Sequence, residues 1–157
     1  MSLISAAFCA CACAALVIPA AAAAFELELR NAAGGQTLRL SLDDLDALPQ
    51  ARMVTETSWT EGMITFDGVA GEAIAGFAPP GAETVRASAL NDYSFSIPLA
   101  DFASGAAMVA TRRDGALIPV RDKGPYWIVY DFTGLSRTDR MQLEARAVWH
   151  LKALEFN

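Results

Sequence analysis

From residue 25 onward the apolar and polar positions first alternate with a period of two. In "FELELR" (25–30) Phe25, Leu27 and Leu29 face one way and Glu26, Glu28 and Arg30 the other, the pattern of a strand buried on one side. Gly34 and Gly35 in "NAAGGQ" supply a turn, after which "TLRLS" (37–41) can pair back as a hairpin. The period then changes. Leu42, Leu45 and Leu48 are spaced for one helical face, Ser41 with Asp44 fits a capping pattern, and Pro49 ends the helix. Asp43, Asp44 and Asp46 form a carboxylate cluster that a helix N-terminus explains by itself.

Beyond the helix, short strands are predicted at 52–59, 63–69, 83–90 and 93–98. A short helix is predicted at 70–78, closed by Pro79-Pro80-Gly81, and turns at Asp67-Gly68 and 91–93. A hairpin is expected over 106–120 with Asp114-Gly115 at its tip. "PYWIVYDF" (125–132) is a continuous apolar run, as in a strand covered on both faces. "SRTDRMQL" (136–143) predicts a helical turn, while the periodicity of "AVWHLKALEF" (147–156) fits helix and strand alike. The order is not a regular βαβ alternation, so the predicted fold class is α+β: β-dominated mixed sheets with short helices.

The first 24 residues change the picture. They carry no charged side chain and end in an alanine run with A-x-A sites before Phe25. Residues 1–24 therefore read as a signal peptide cleaved near Ala24, which implies export to the periplasm and no stable membrane insertion afterwards. A membrane anchor is the alternative; Pro19 and the alanine-rich end favour cleavage. Cys9, Cys11 and Cys13 all fall in this segment. Residues 25–157, read as one domain, thus have neither a disulfide nor a thiolate for a metal. The net charge of −6 argues against nucleic acid as the partner. No metal site is expected: His150 is the only histidine, without partners at ligand spacing, and reads as a strand residue on a sheet surface.

Several segments occur in an order that resembles a known family. They are "WTEG" from Trp59 leading to "FDGV" from Phe66, then "ALNDYSFSIPLADF", "RRDGALIPVRDKGPYWIVYDF" and "RAVWHLKALEF" from Arg146. Together they resemble a small secreted branch of the sulfite-oxidase-type, oxidoreductase molybdopterin-binding domain family. The resemblance implies a mixed α+β domain around curved sheets, makes 147–156 a strand, and implies a molybdenum–pterin cofactor whose metal is ligated by a cysteine. That cysteine is expected in the loop near Thr55–Ser58, where this chain reads "TETSW". Threonine and serine hydroxyls replace a soft thiolate poorly on a redox metal.

Candidate ligand-binding residues follow from both readings. Arg121 and Lys123 flank Asp122 ahead of Gly124-Pro125. They are either a cationic loop, with Gly124 letting the backbone approach a phosphate or carboxylate, or a solvated turn in which Asp122 pairs with its neighbours. Asn91, Asp92 and Tyr93 are either an ordinary turn or polar groups on a pocket rim. Arg52 precedes the position of the missing cysteine, and Arg112 and Arg113 sit at a hairpin tip that is ordinarily solvated. Trp59, Tyr126, Trp127, Tyr130 and Phe132 supply core aromatic area, and Trp59 is also counted in the ligand-binding set.

The leading functional expectation is a periplasmic, non-catalytic binding or accessory module for a small anionic or pterin-like ligand. One alternative is a molybdopterin-dependent oxidoreductase whose metal is held without a protein thiolate. Another is a ligand-free module that contacts an envelope protein partner. The residues themselves name no cofactor; molybdopterin enters only through the resemblance.

Overall fold

The computed structural model describes residues 25–157; the leader expected at 1–24 and its three cysteines lie outside the described residues. The expected α+β class holds, with two mostly antiparallel sheets and a few short helices.

The first sheet joins the two ends of the described chain. β1 (Leu27–Asn31) pairs antiparallel with β2 (Thr37–Leu40) and parallel with β10 (Leu151–Phe156). β5 (Thr84–Ala89) and β6 (Ser94–Pro98) extend it to the order β2-β1-β10-β5-β6. The alternation of "FELELR" holds from Leu27: Leu27 and Leu29 are buried and Glu28 and Arg30 pair with each other, while Phe25, expected on the buried face, precedes β1 and is exposed.

In the second sheet, β3 (Gln50–Glu56), β4 (Met63–Val69) and β7 (Ala107–Arg113) run side by side. β8 (Ala116–Leu117) and β9 (Trp127–Tyr130) both pair with β7. The β7–β8 hairpin turns at Asp114 and Gly115, whose φ angles of 48° and 82° are those a two-residue turn of this hand demands. All four residues of β9 are buried, as its unbroken apolar run predicts. Its alternate side chains enter different clusters. Ile128 and Tyr130 join the main core with Leu27, Val85, Phe102 and Leu154, whereas Trp127 and Val129 pack with Phe66, Met108 and Ile118.

Helix α1 (Leu42–Ala47) carries the expected reciprocal cap: the Ser41 hydroxyl accepts the Asp44 N–H and the Asp44 carboxylate accepts the Ser41 N–H. Its Asp46 takes both terminal nitrogens of Arg112, at 2.6 and 2.7 Å, and ties the helix to β7. Arg112 is therefore engaged rather than left in solvent at the hairpin tip.

Several boundaries differ from expectation, each for a local reason. β3 ends at Glu56 rather than 59, because the Thr57 hydroxyl accepts the Trp59 N–H and starts a turn. Helix α2 (Gly71–Ala75) is shorter than 70–78. Helix α3 (Leu99–Ala103) follows Pro98 unannounced; five residues are too few to show a period. Helix α4 (Arg137–Arg146) is longer than the expected single turn. None of its side chains is buried, so no apolar stripe marked it.

The strand expected at 147–156 begins only at Leu151. Residues 148–151 instead trade backbone hydrogen bonds with 123–128: Ile128 donates to Val148, His150 to Lys123 and Leu151 to Tyr126. His150 is accordingly not a strand residue. It has φ 54°, and its Nδ1 lies 2.6 Å from the Gly124 carbonyl, where it donates. No helix among the described residues is long and apolar enough to cross a membrane.

Candidate functional site

The chain between α4 and β10 turns back against the loop after β3, and the side chains at this junction enclose a cleft of about 240 Å³. Trp59, Tyr93 and Trp149 supply aromatic surface, and Ala147 and Val148 add aliphatic surface. Asn91 and Glu144 are the polar members. Trp59 and Trp149 meet edge-on with centroids 4.8 Å apart, and Trp59 also touches Trp127 and Phe132. The cleft wall is thus continuous with the core, which holds its rings in place. Trp127 is fully buried and its indole N–H has no hydrogen-bond acceptor. The rings of Phe66, Trp59 and Trp149 stand around it, so π faces are the acceptors on offer.

The 91–93 turn positions two of these residues. Asp92 takes φ 64°, Asn91 Oδ1 accepts the Tyr93 N–H at 3.3 Å, and the Tyr93 hydroxyl donates to the Ala145 carbonyl at 3.0 Å. That last bond fastens the turn to α4. From the loop after β3 the Ser58 hydroxyl donates to Glu144 Oε1. Lys123, with φ 70°, holds its ammonium 5.8 Å from the centre of the Trp149 ring, a cation–π distance.

Of the residues singled out in the sequence, Trp59, Asn91 and Tyr93 come together in this cleft, with Lys123 against one of its walls. The others go elsewhere. The Asp92 carboxylate, with a side chain 92% exposed, pairs with Lys152 at 3.1 Å. Arg52 pairs with Asp67 at 2.7 Å on the exposed face of the β3–β4 ladder. Arg121 is exposed and does not line the cleft. Asp122 pairs with Arg113 at 2.5 Å, and that hydrogen bond holds its carboxyl below the usual carboxylate range.

The part expected of Gly124 changes as well. A Cβ there would lie 1.9 Å from the Ile118 carbonyl oxygen, so glycine is required by packing within the loop rather than by the approach of a ligand. Trp149 and Glu144 were not legible as site residues. Trp149 sits in a segment expected as strand and Glu144 just past the expected helical turn, and both reach the cleft because α4 runs on to Arg146 and a loop, not a strand, follows it.

The hydroxyls that stand where the resemblance expects a thiolate are all committed. Thr55 Oγ1 accepts the buried Phe132 N–H at 2.8 Å. Thr57 Oγ1 lies 2.7 Å from Thr60 Oγ1 and accepts the Trp59 N–H. Ser58 donates to Glu144. No group of three or more His, Cys, Asp or Glu side chains among the described residues could hold a metal ion. The donor set here does not fit a protein-ligated molybdenum centre.

A second polar group lies between α3, α4 and β9. Asp101 Oδ2 accepts both the Tyr130 hydroxyl at 2.9 Å and Arg146 at 2.8 Å. Burial, with the Asp101 charge second, raises the Tyr130 pKa strongly, so the phenol stays a donor.

No family model matches the chain, and no curated protein matches it. Among solved structures, the sulfane dehydrogenase SoxCD from Paracoccus pantotrophus is similar, with a TM-score of 0.62 and 15% sequence identity. The likeness is one of fold. It covers 84% of this chain and 38% of that one, so the chain spans well under half the length of the neighbour. This agrees with the sulfite-oxidase-like α+β fold expected from the resemblance.

Proposed function

We propose that the protein is a periplasmic, non-catalytic binding module built on this fold, and that its site is the cleft between Trp59, Tyr93 and Trp149. The observation that carries the reading is the convergence of three aromatic side chains with Asn91 and Glu144 in one concave site. Such a site suits a small flat ligand held by ring contacts and oriented by a few polar groups. A pterin-like ring carrying an anionic group is the preferred ligand, with Lys123 the cation nearest the aromatic wall. A bare anion is the weaker candidate, because Glu144 has the same sign.

SoxCD is a sulfane dehydrogenase. Redox chemistry is not carried over, because the hydroxyls at Thr55, Thr57 and Ser58 are spent on structure and offer no soft ligand. The test is elemental and mass analysis of protein recovered from the periplasm of its native host. The expected result is a small organic ligand, or none, without stoichiometric metal. Binding of an added pterin should be lost in Trp149→Ala. Molybdenum at one per chain would overturn the non-catalytic reading.

A further inference from the structure

Glu144 is the charged side chain among the residues lining the cleft, and no cation among the described residues pairs with it. Its natural partners on α4 are turned away. Arg140, one helical turn earlier and at the spacing where an ion pair ordinarily forms, reaches instead to Glu56 at 2.5 Å and to the Phe132 carbonyl at 2.9 Å. Arg146 goes to Asp101 at 2.8 Å. Lys123 stands over Trp149. Ser58 supplies one hydroxyl to Oε1, and Oε2 has no donor among the described residues. Glu144 is partly exposed and lines the cleft, so its free oxygen is available to a donor that enters there.

We propose that Glu144 is the specificity-determining residue of this cleft. It selects a flat ring that presents adjacent N–H donors, the amidine- or guanidine-type edge of a 2-amino-4-oxo pyrimidine ring, over the matching dioxo ring. This rests on the reading of the cleft as the ligand site and deepens it. The carboxylate accepts a pair of N–H groups side by side, while the ring packs on the exposed aromatic surface of Trp59, Tyr93 and Trp149. A ring with a carbonyl in place of the amino group sets oxygen against oxygen and leaves the carboxylate unpaired.

The test is calorimetric titration of the purified protein with pterin-6-carboxylate and with its 2-oxo analogue, lumazine-6-carboxylate. The wild type is expected to bind the amino compound about tenfold to a hundredfold more tightly, the range of one charge-assisted contact. In Glu144→Gln that preference should fall to within about threefold while the melting temperature is unchanged. Trp59→Phe, which keeps a ring on the wall, should retain the preference. Equal affinity of the wild type for both compounds, or an undiminished preference in Glu144→Gln, overturns the assignment to Glu144 and leaves the cleft standing as the ligand site. Failure of both compounds to bind overturns the assignment and the binding reading together.

Discussion

The hydroxyl of Thr55, at the end of β3, accepts the backbone N–H of Phe132, just past β9, at 2.8 Å. These segments are 77 residues apart in the chain, and the bond ties the end of β3 to the chain leaving β9, two strands that do not pair with each other in the second sheet. The Phe132 carbonyl is satisfied by another side chain, Arg140. Position 55, next to where the resemblance expects a metal-binding thiolate, therefore has a structural occupation.

Thr55→Val removes the acceptor and leaves a buried N–H without a partner. The expected cost is about 1–3 kcal/mol in urea unfolding. Thr55→Ser, which keeps the hydroxyl, should lose less. Hydrogen exchange at the Phe132 amide should speed up in the valine variant and stay slow in the serine variant. Equal stability of all three proteins would show that the bond is dispensable.

Gly124→Ala tests the loop's packing. The added methyl would meet the Ile118 carbonyl oxygen, a backbone atom that cannot swing away. A loss of about 3 kcal/mol, at the upper end of what overpacking costs, is expected in equilibrium unfolding. A neutral substitution would mean that the chain from Pro119 to Pro125 has room to move.

Arg121→Ala and Lys123→Ala should separate a surface charge from a contact. Arg121 is exposed, and its loss should leave stability within about 0.5 kcal/mol of wild type. Lys123→Ala gives up a cation–π contact worth about 0.5–1 kcal/mol. On the proposed function, Lys123→Ala should also weaken binding of pterin-6-carboxylate more than Arg121→Ala does. The reverse order in calorimetric titration would move the anion contact from Lys123 to Arg121.

Acid should loosen α1 from its sheet. The hydrogen bonds from Arg112 hold the Asp46 carboxyl below its ordinary range. A group whose folded pKa is lowered contributes stability that is complete above the unfolded value, about 3.9 for Asp, and is lost as the pH falls through the lower folded value. Asp46→Asn should therefore have a lower melting temperature than wild type near neutrality, and the gap should close in strong acid. A gap that is constant with pH would show that the ion pair adds nothing to stability.

Much of the fold was legible because its signals are local. Alternation in "FELELR" names the buried side of β1, and an unbroken apolar run marks β9 as covered on both faces. Ser41 with Asp44 and Asp114 with Gly115 encode a cap and a turn within a few residues of themselves. Helix α4 escaped because it buries no side chain and so leaves no periodic trace.

Sequence alone thus determined most of the extended segments, the turns at 91–93 and Asp114-Gly115, and that no thiol follows residue 24, while the turn expected at Asp67-Gly68 lies inside β4. Tertiary structure alone decided that Trp59, Tyr93, Glu144 and Trp149 share one cleft, that Arg52 and Arg112 are held by Asp67 and Asp46, and that His150 clamps Gly124 instead of lying in a strand. The reason is physical. Periodicity records which side of an element avoids water, but a cleft is made by the meeting of elements distant in the chain. The charge that finds a partner and the charge that is left without one are settled only when those elements have packed.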